Sequence, residues 1–174
     1  FRAYRRWVVE TLEGITSLPP CYVLNGFTGT GKTVLLNRLA ERGYPVIDLE
    51  HMAQHRGSIF GQIGLRPNNQ KAFDSLLVHE LLRYQDAPYL IVEAESKRVG
   101  RVVLPDFLMR AKESGTTLFV NVPVEERVKL ILNEYKPYEH KQESIDSFMR
   151  IERRIHTPVA AEIRQSLEQD RFGR

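Results

Sequence analysis

An eight-residue segment, 26–33, limits what this chain can fold into more than any other part of it. The segment is GFTGTGKT and fits the pattern G-x-x-x-x-G-K-[ST], in which a glycine-rich loop joins a strand to a helix. Glycines let the backbone curl so that successive N–H groups point at a phosphate, and the N-terminus of the following helix adds positive charge. The pattern therefore predicts a phosphate-binding loop.

The residues of this loop have separate expected roles. We expect the Lys32 ammonium group to reach the terminal phosphate and the Thr33 hydroxyl to bind Mg²⁺. A glycine-rich turn that merely joins the strand to the helix is the alternative, and the motif does not say which phosphate compound binds. The predicted phosphate-binding residues are Gly26, Thr28, Gly29, Thr30, Gly31, Lys32 and Thr33.

Short apolar segments alternate with segments of helical periodicity along the chain. Strands are predicted at 21–24, 45–49, 89–92 and 117–122, and helices at about 1–12, 32–42, 69–84 and 106–113. A polar loop is expected at 51–67, and the chain from 125 to 170 is predicted to be helical with a break at Pro137. This alternation predicts an α/β, three-layer P-loop NTPase-like fold with a mostly parallel sheet, followed by a helical C-terminal segment.

Length and composition fit one globular domain. With 174 residues, 42% hydrophobic and 27% charged, we treat 1–174 as a single domain with an N-terminal helix (1–14), an α/β core (21–122) and a helical segment (124–174). We expect no membrane span, a cytoplasmic location and a buried Cys21 without a disulfide. The net charge, 25 − 22 = +3, permits a polyanionic partner without requiring one.

Carboxylates stand at the ends of two predicted strands. Glu93 ends an apolar strand and is predicted to be catalytic, either as a Mg²⁺ ligand with Thr33 or by orienting a nucleophile. Asp48 is the competing candidate, and an ordinary strand-end carboxylate is the alternative for Glu93. Since functional groups of open α/β sheets gather beyond the carboxyl ends of the strands, we expect both near the phosphate loop.

Several basic and polar side chains follow these strands. Lys97, Arg98 and Arg101 are expected to enter the same crevice and bind a second phosphate or a nucleic-acid backbone, with a solvated loop as the alternative. His51 and His55 are expected to contact a polar substrate or to lie in a plain loop rather than to bind zinc.

Near the C-terminus, Arg150, Arg153 and Arg154 recur at helical spacing close to His156. A single basic helix face there predicts a phosphate-contacting lid or a stripe facing tRNA. A solvent-exposed face balanced by Glu152 is the alternative.

Three segments together resemble one known family. GFTGTGKT, VIDLE followed by HRGSIFG, and VEAESKRVGRVVLP are similar to the phosphate-loop domain of bacterial tRNA 2-selenouridine synthases, over about 5–154. The resemblance implies a transferase that acts on the wobble 2-thiouridine of certain tRNAs. It implies transfer of geranyl from geranyl diphosphate to sulfur and then replacement of the geranylthio group by selenium from selenophosphate. The loop would then bind diphosphate rather than ATP.

The resemblance also implies partners and site residues. That family carries a rhodanese-like domain with an essential cysteine, which this chain lacks, so we expect a separate rhodanese-like domain or subunit to be needed for selenation. Lys32, Glu93 and Arg98 are the expected catalytic residues. An apolar groove for the terpenyl tail is expected at Ile59, Phe60, Ile63 and Leu65. The expected substrate and tRNA contacts are His55, Arg56, Ser58, Phe60, Glu95, Ser96, Lys97, Arg98, Arg101, Arg150 and Arg154.

Two other function classes remain open at this point. The fold and the phosphate loop also suit a small-molecule kinase or a nucleotide hydrolase, because they do not choose a reaction. A non-catalytic module that presents tRNA to another domain is the third possibility.

Overall fold

Helices and strands alternate along residues 1–172, the part of the chain that this computed structural model describes. The helices are α1 (Arg2–Gly14), α2 (Lys32–Glu41), α3 (Leu49–Ala53), α4 (Gln70–Arg83), α5 (Asp106–Glu113), α6 (Val124–Tyr135), α7 (Lys141–Met149) and α8 (Thr157–Glu168), with a 3₁₀ turn at Glu152–Arg154. The strands are β1 (Cys21–Asn25), β2 (Val46–Ile47), β3 (Leu90–Glu93), β4 (Arg98–Val99), β5 (Val102–Val103) and β6 (Thr116–Phe119).

Four of these strands form a parallel sheet in the order β2-β3-β1-β6. Cys21 pairs with Leu90 and Tyr22 with Thr116, so β1 has β3 on one side and β6 on the other. Because the strands are parallel, their carboxyl ends lie at one edge of the sheet. The segments after β1, β2 and β3 therefore meet at that edge.

Apolar side chains cover both faces of the sheet. In β3, Val92 belongs to a large core cluster with Phe73 and Leu77 of α4, whereas the adjacent Ile91 belongs to a second cluster with Leu36 of α2. Since successive side chains of a strand point to opposite faces, α4 and α2 lie on opposite sides of the sheet. The larger cluster also contains Phe107 and Leu108 of α5 and the buried Cys21. The predicted α/β fold with three layers is confirmed.

The region after β2 differs from its prediction. The strand stops at Ile47 instead of continuing to Leu49, because the Asp48 carboxylate accepts a hydrogen bond from the His51 N–H at 2.8 Å and caps α3. Helix α3 occupies the start of the predicted loop 51–67. The charged segment after Glu93 likewise contains an antiparallel hairpin, β4–β5, which turns at Gly100 with φ of +57°.

The C-terminal segment is helical but has more breaks than predicted. Helix α6 ends before Pro137 as expected, and α7 ends at Met149. Arg150 follows α7, whereas Arg153 and Arg154 lie in the 3₁₀ turn, so the prediction that the three share one helix face is wrong. The last two residues of this predicted segment, 173 and 174, lie outside the described residues. Within 1–172, no helix has both the length and the apolar character required to span a bilayer.

Candidate functional site

The phosphate loop connects β1 to α2 at the carboxyl edge of the sheet. Gly29 and Gly31 have φ of +78° and +77°, a left-handed conformation that side-chain-bearing residues rarely adopt, and Gly31 is the N-cap of α2. Buried Thr30 holds the curled backbone together, since its hydroxyl donates to the Phe27 carbonyl at 2.8 Å. The loop thus has the shape that the sequence pattern predicts.

Lys32 lies over this loop. Its Nζ donates to the carbonyl oxygen of Gly26 at 2.9 Å and to that of Phe27 at 3.4 Å. The ammonium group is therefore held beside the loop carbonyls at the N-terminus of α2, where both the lysine charge and the helix dipole favour an anion.

A pocket of about 310 Å³ lies between the phosphate loop, α2 and α6. Its lining includes six of the predicted phosphate-loop residues, together with Arg56 and with four residues of α6, the first of which is Leu130. The lining residues are Thr28, Gly29, Thr30, Gly31, Lys32, Thr33, Val34, Asn37, Glu50, Arg56, Leu130, Asn133, Glu134 and Tyr135. Its volume is at the lower end of the ~300–1,000 Å³ typical of small-molecule sites.

Helix α6 packs directly against the phosphate loop. Arg127 donates from Nε to the Thr28 carbonyl at 3.0 Å, and its guanidinium carbon lies 5.0 Å from the centre of the Phe27 ring. A β-carbon added to Gly29 would come within 2.7 Å of both the Arg127 carbonyl oxygen and Cγ1 of Ile131. Sequence patterns do not predict that α6 lies at the site, because this packing joins segments about 100 residues apart.

Glu93 ends β3 and is fully buried. Its Oε2 accepts a hydrogen bond from the Glu50 N–H at 2.9 Å, and its Oε1 has no partner among the described residues. Burial raises the pKa of Glu93 well above its usual value, and the nearby Asp48 and Glu50 carboxylates raise it further. Glu93 lies outside the pocket lining, with Glu50 between it and the pocket.

Glu50, which lines the pocket as Glu134 also does, is an acidic residue that sequence reasoning missed. Burial raises its pKa to about 8, and the Glu95 carboxyl group, which hydrogen-bonds with it, adds to the shift, while the Lys32 charge opposes it. Its position in VIDLE, directly after the predicted strand 45–49, is the signal that points to it. Asp48 instead caps α3.

The residues present fit a Mg²⁺ ion only in part. Thr33 lines the pocket, while Glu93, the second predicted ligand, is separated from it by Glu50. Within residues 1–172 no group of three or more His, Cys, Asp or Glu side chains is placed to hold a metal ion, which also removes support for zinc at His51 and His55. A Mg²⁺ ion here would take most of its oxygen ligands from phosphate and water, as this ion commonly does.

The segments HRGS and E-x-E-S meet around Glu95 and His55. A β-carbon on Gly57 would collide with the Glu95 carboxylate. The His55 ring lies between Gly61 and Gly100, whose added β-carbons would come within 2.8 and 2.6 Å of it. Burial lowers the pKa of His55, and this effect is larger than that of the Glu95 charge, which raises it. The ring is therefore neutral at neutral pH. Lys112 of α5 donates to the Glu95 carbonyl.

Arg56 and Ser58 connect the loop after α3 to α6. The Arg56 Nε lies 2.9 Å from Oε1 of Glu134, and its guanidinium carbon is 4.8 Å from the centre of the Tyr135 ring. The Ser58 hydroxyl is 3.4 Å from the Tyr135 hydroxyl. The structure therefore brings Arg56, from the predicted substrate contacts, to the same pocket as the phosphate loop.

The other predicted contacts lie outside this pocket lining. Arg98 and Arg101 are exposed on the β4–β5 hairpin, and the Ser96 hydroxyl donates to the Arg98 carbonyl at 2.7 Å. Lys97 forms an exposed ion pair with Asp106 at 2.7 Å. Phe60 is half-buried, and Arg150 and Arg154 are exposed in the C-terminal segment.

Comparison with known proteins gives one consistent family. The model of the "tRNA 2-selenouridine synthase AAA domain" family matches residues 19–172. The tRNA 2-selenouridine synthase of Shewanella piezotolerans is 36% identical over 137 residues, which is 78% of this chain and 36% of that protein. The synthase of Hahella chejuensis is 34% identical over 176 residues, 96% of this chain and 43% of that protein. The chain thus spans less than half the length of these relatives.

A solved structure of a DNA replication initiation factor has a lower similarity. It is 20% identical, with a TM-score of 0.36 over 79% of this chain and 51% of that one.

We expect Gly29→Ala to destabilise the fold by about 1–3 kcal/mol, because its β-carbon would overlap α6 and because its φ is positive. Urea unfolding measures the change. Gly14→Ala is the control, since a β-carbon there meets no atom within 4 Å. Equal unfolding midpoints for the two variants would contradict the packing of α6 on the loop.

We expect Glu50→Gln to become increasingly stabilising, relative to the native chain, as the pH rises from 5 to 9. The folded-state pKa of about 8 exceeds the ordinary value of 4.5, so the stability that the protonated group contributes is complete below about 4.5 and lost as the pH rises through 8. Urea unfolding at several pH values measures this. Glu41→Gln, at an exposed position in α2, is the control, and parallel pH profiles for the native chain and Glu50→Gln would contradict the prediction.

Proposed function

Because the chain belongs to the family of the tRNA 2-selenouridine synthase AAA domain, we propose that it is the phosphate-binding part of an enzyme that modifies the wobble uridine of tRNA. One observation carries the proposal: the phosphate loop, Glu50 of VIDLE and Arg56 of HRGS line the same pocket. Three separate segments between residues 26 and 58 thus supply one site, which is expected if they act on one substrate.

The proposed reaction is transfer of a geranyl group from geranyl diphosphate to the sulfur of 2-thiouridine. A carbon–sulfur bond forms, the carbon–oxygen bond to diphosphate breaks, diphosphate leaves with the electron pair, and the N3 proton of the base passes to water or to the departing diphosphate. Negative charge then grows on the leaving oxygens. The loop N–H groups and Lys32 are fixed before the reaction, so they can stabilise that charge without reorganisation. Thr33 would hold Mg²⁺, which supplies further neutralisation of the diphosphate.

The carboxyl groups around the loop support a role for a protonated Glu50. An ionised carboxylate beside a diphosphate would repel it, whereas the raised pKa of Glu50, about 8, keeps this group largely neutral near pH 7. The charge of Glu134 is balanced by Arg56 at 2.9 Å. The positive charge of Lys32 is therefore available to the diphosphate, because neither Glu50 nor Glu134 neutralises it.

Selenation is the second proposed step, in which selenium from selenophosphate replaces the geranylthio group. We propose that it requires a rhodanese-like domain or partner, as the family resemblance implies. The buried Cys21 lies in β1, and burial raises the pKa of its thiol, so it is not suited to act as a nucleophile in that step.

The proposed tRNA contacts are the exposed basic side chains near the carboxyl edge of the sheet. Arg98 and Arg101 stand on the β4–β5 hairpin, which directly follows β3. A base that presents its 2-position is expected to be turned out of its stacked loop, with the flanking phosphates bound by basic groups.

We expect Lys32→Ala to slow geranyl transfer at least a hundredfold, because loss of one preorganised donor typically costs about 2.7–4 kcal/mol of barrier. The purified chain is incubated with thiolated tRNA, geranyl diphosphate and Mg²⁺, and the nucleosides are weighed by mass spectrometry. Lys71→Ala, at an exposed position in α4, is the control. Undiminished transfer by Lys32→Ala would refute the proposed role of the loop.

The same assay separates the alternative functions. ATP turnover that saturates without tRNA would favour a kinase or hydrolase. Binding of tRNA and diphosphate with no product, even when a rhodanese-like partner is added, would favour a presenting module.

We expect the double variant Arg98→Ala/Arg101→Ala to weaken tRNA binding and to reduce the slope of log affinity against log salt concentration by roughly 1–2, because each lost phosphate contact removes about 0.7–0.9. Filter binding at several salt concentrations measures both. Arg38→Ala/Arg42→Ala, with Arg38 in α2 and Arg42 at its C-terminal cap, is the control pair. If the hairpin variant keeps the native slope, these arginines are not phosphate contacts.

A further inference from the structure

The pocket beside the phosphate loop has an apolar wall in addition to its polar residues. The wall consists of Val34 of α2 and of Leu130 and Tyr135 of α6. Val34 follows Thr33 directly, and 53% of its surface is exposed. A diphosphate alone has no use for such a surface, because its oxygens are satisfied by N–H groups and cations.

Leu130 places this wall close to the phosphate cradle. Its Cδ1 lies 3.7 Å from the point that a β-carbon of Gly31 would occupy, which is van der Waals distance. The next residue, Ile131, packs on Gly29 and fixes the position of α6. A group attached to a bound diphosphate therefore meets the Leu130 side chain within a few atoms of the last phosphate.

The far end of the wall is rigid. The Tyr135 side chain is only 7% exposed, its hydroxyl lies 3.4 Å from that of Ser58, and Arg56 covers its ring at 4.8 Å. A side chain held on several sides cannot move aside for a longer ligand without breaking these contacts. Leu130 therefore fixes the end of the wall beside the phosphate loop, and Tyr135 fixes the opposite end.

We infer that Val34, Leu130 and Tyr135 receive the hydrocarbon part of an organic diphosphate, and that Leu130 determines which chain lengths are accepted. The inference rests on the proposed function for the diphosphate end of the ligand and adds to it a specificity residue. The pocket has a volume of about 310 Å³ and the buried Tyr135 stands at the end of the wall, so we expect a short hydrocarbon chain to fit better than a long one. Each methylene group that leaves water should improve affinity about fourfold.

This wall is different from the groove that the sequence suggested. Ile59, Phe60, Ile63 and Leu65 lie outside the pocket lining. Ile63 is also 2% exposed and belongs to the protein interior.

The test compares ligands that share the diphosphate group and differ in the hydrocarbon. Isothermal titration calorimetry with Mg²⁺ measures the affinity of the native chain for inorganic, dimethylallyl, geranyl and farnesyl diphosphate. We expect affinity to rise at least tenfold from inorganic to geranyl diphosphate and to fall again for farnesyl diphosphate.

Variants of Leu130 then test its assigned role. Leu130→Asn keeps the approximate size and should weaken geranyl diphosphate at least tenfold while leaving inorganic diphosphate unchanged. Leu130→Trp should exclude geranyl diphosphate and still admit the dimethylallyl compound. Val124→Asn, at a 62% exposed position of α6, is the matched control and should change neither affinity.

The outcomes separate this inference from the proposed function. Equal affinity of the native chain for inorganic and geranyl diphosphate would overturn the apolar wall and leave the phosphate loop in place. The same holds if Leu130→Asn weakens both ligands equally. If the native chain binds none of the four diphosphates, the proposed function fails, and the inference fails with it.

Discussion

Backbone pairing of β1 with β3 on one side and β6 on the other determines where a site can form in this protein. Parallel pairing puts the ends of β1, β2 and β3 at one edge, so that the phosphate loop, Asp48 and Glu93 all follow strands that finish together. A glycine-rich loop binds an anion only when its N–H groups are held in place, and the packed sheet and α2 provide that rigidity. The chemistry of the pocket thus depends on the strand order.

The carboxyl groups of Glu50 and Glu93 at this edge lower the stability of the fold, because they are buried and repel each other. Specific contacts reduce this cost. A buried carboxyl group such as Glu93 costs free energy unless it is protonated or paired, and its Oε2 is paired with the Glu50 N–H at 2.9 Å. The basic groups nearest to this cluster, Lys32 and Lys112, reduce the repulsion among the carboxyl groups. Such an arrangement is typical of functional edges, where perturbed protonation is common, and unusual in a purely structural core.

Local patterns made much of the fold predictable. The phosphate loop follows from glycine spacing, and α5 at Asp106–Glu113 follows from periodicity and from the Gly115 that comes after it. The site was less predictable, because contacts between distant segments create it. The raised pKa of Glu50 depends on Glu95 and Lys32, which are distant from it in sequence. Helix α6 reaches the site only because it packs on Gly29. The prediction that Arg150, Arg153 and Arg154 share one helix face is wrong, because a 3₁₀ turn at Glu152–Arg154 replaces the continuous helix that this spacing requires.

Helix α6 touches the phosphate loop at Gly29 and the HRGS segment through Glu134 and Tyr135. At 1.5 Å per residue its 12 residues form a rod about 18 Å long. Because one helix makes both contacts, the length of α6 sets the spacing between the glycine turn and the Arg56–Glu134 ion pair, and so the width of the cavity between them.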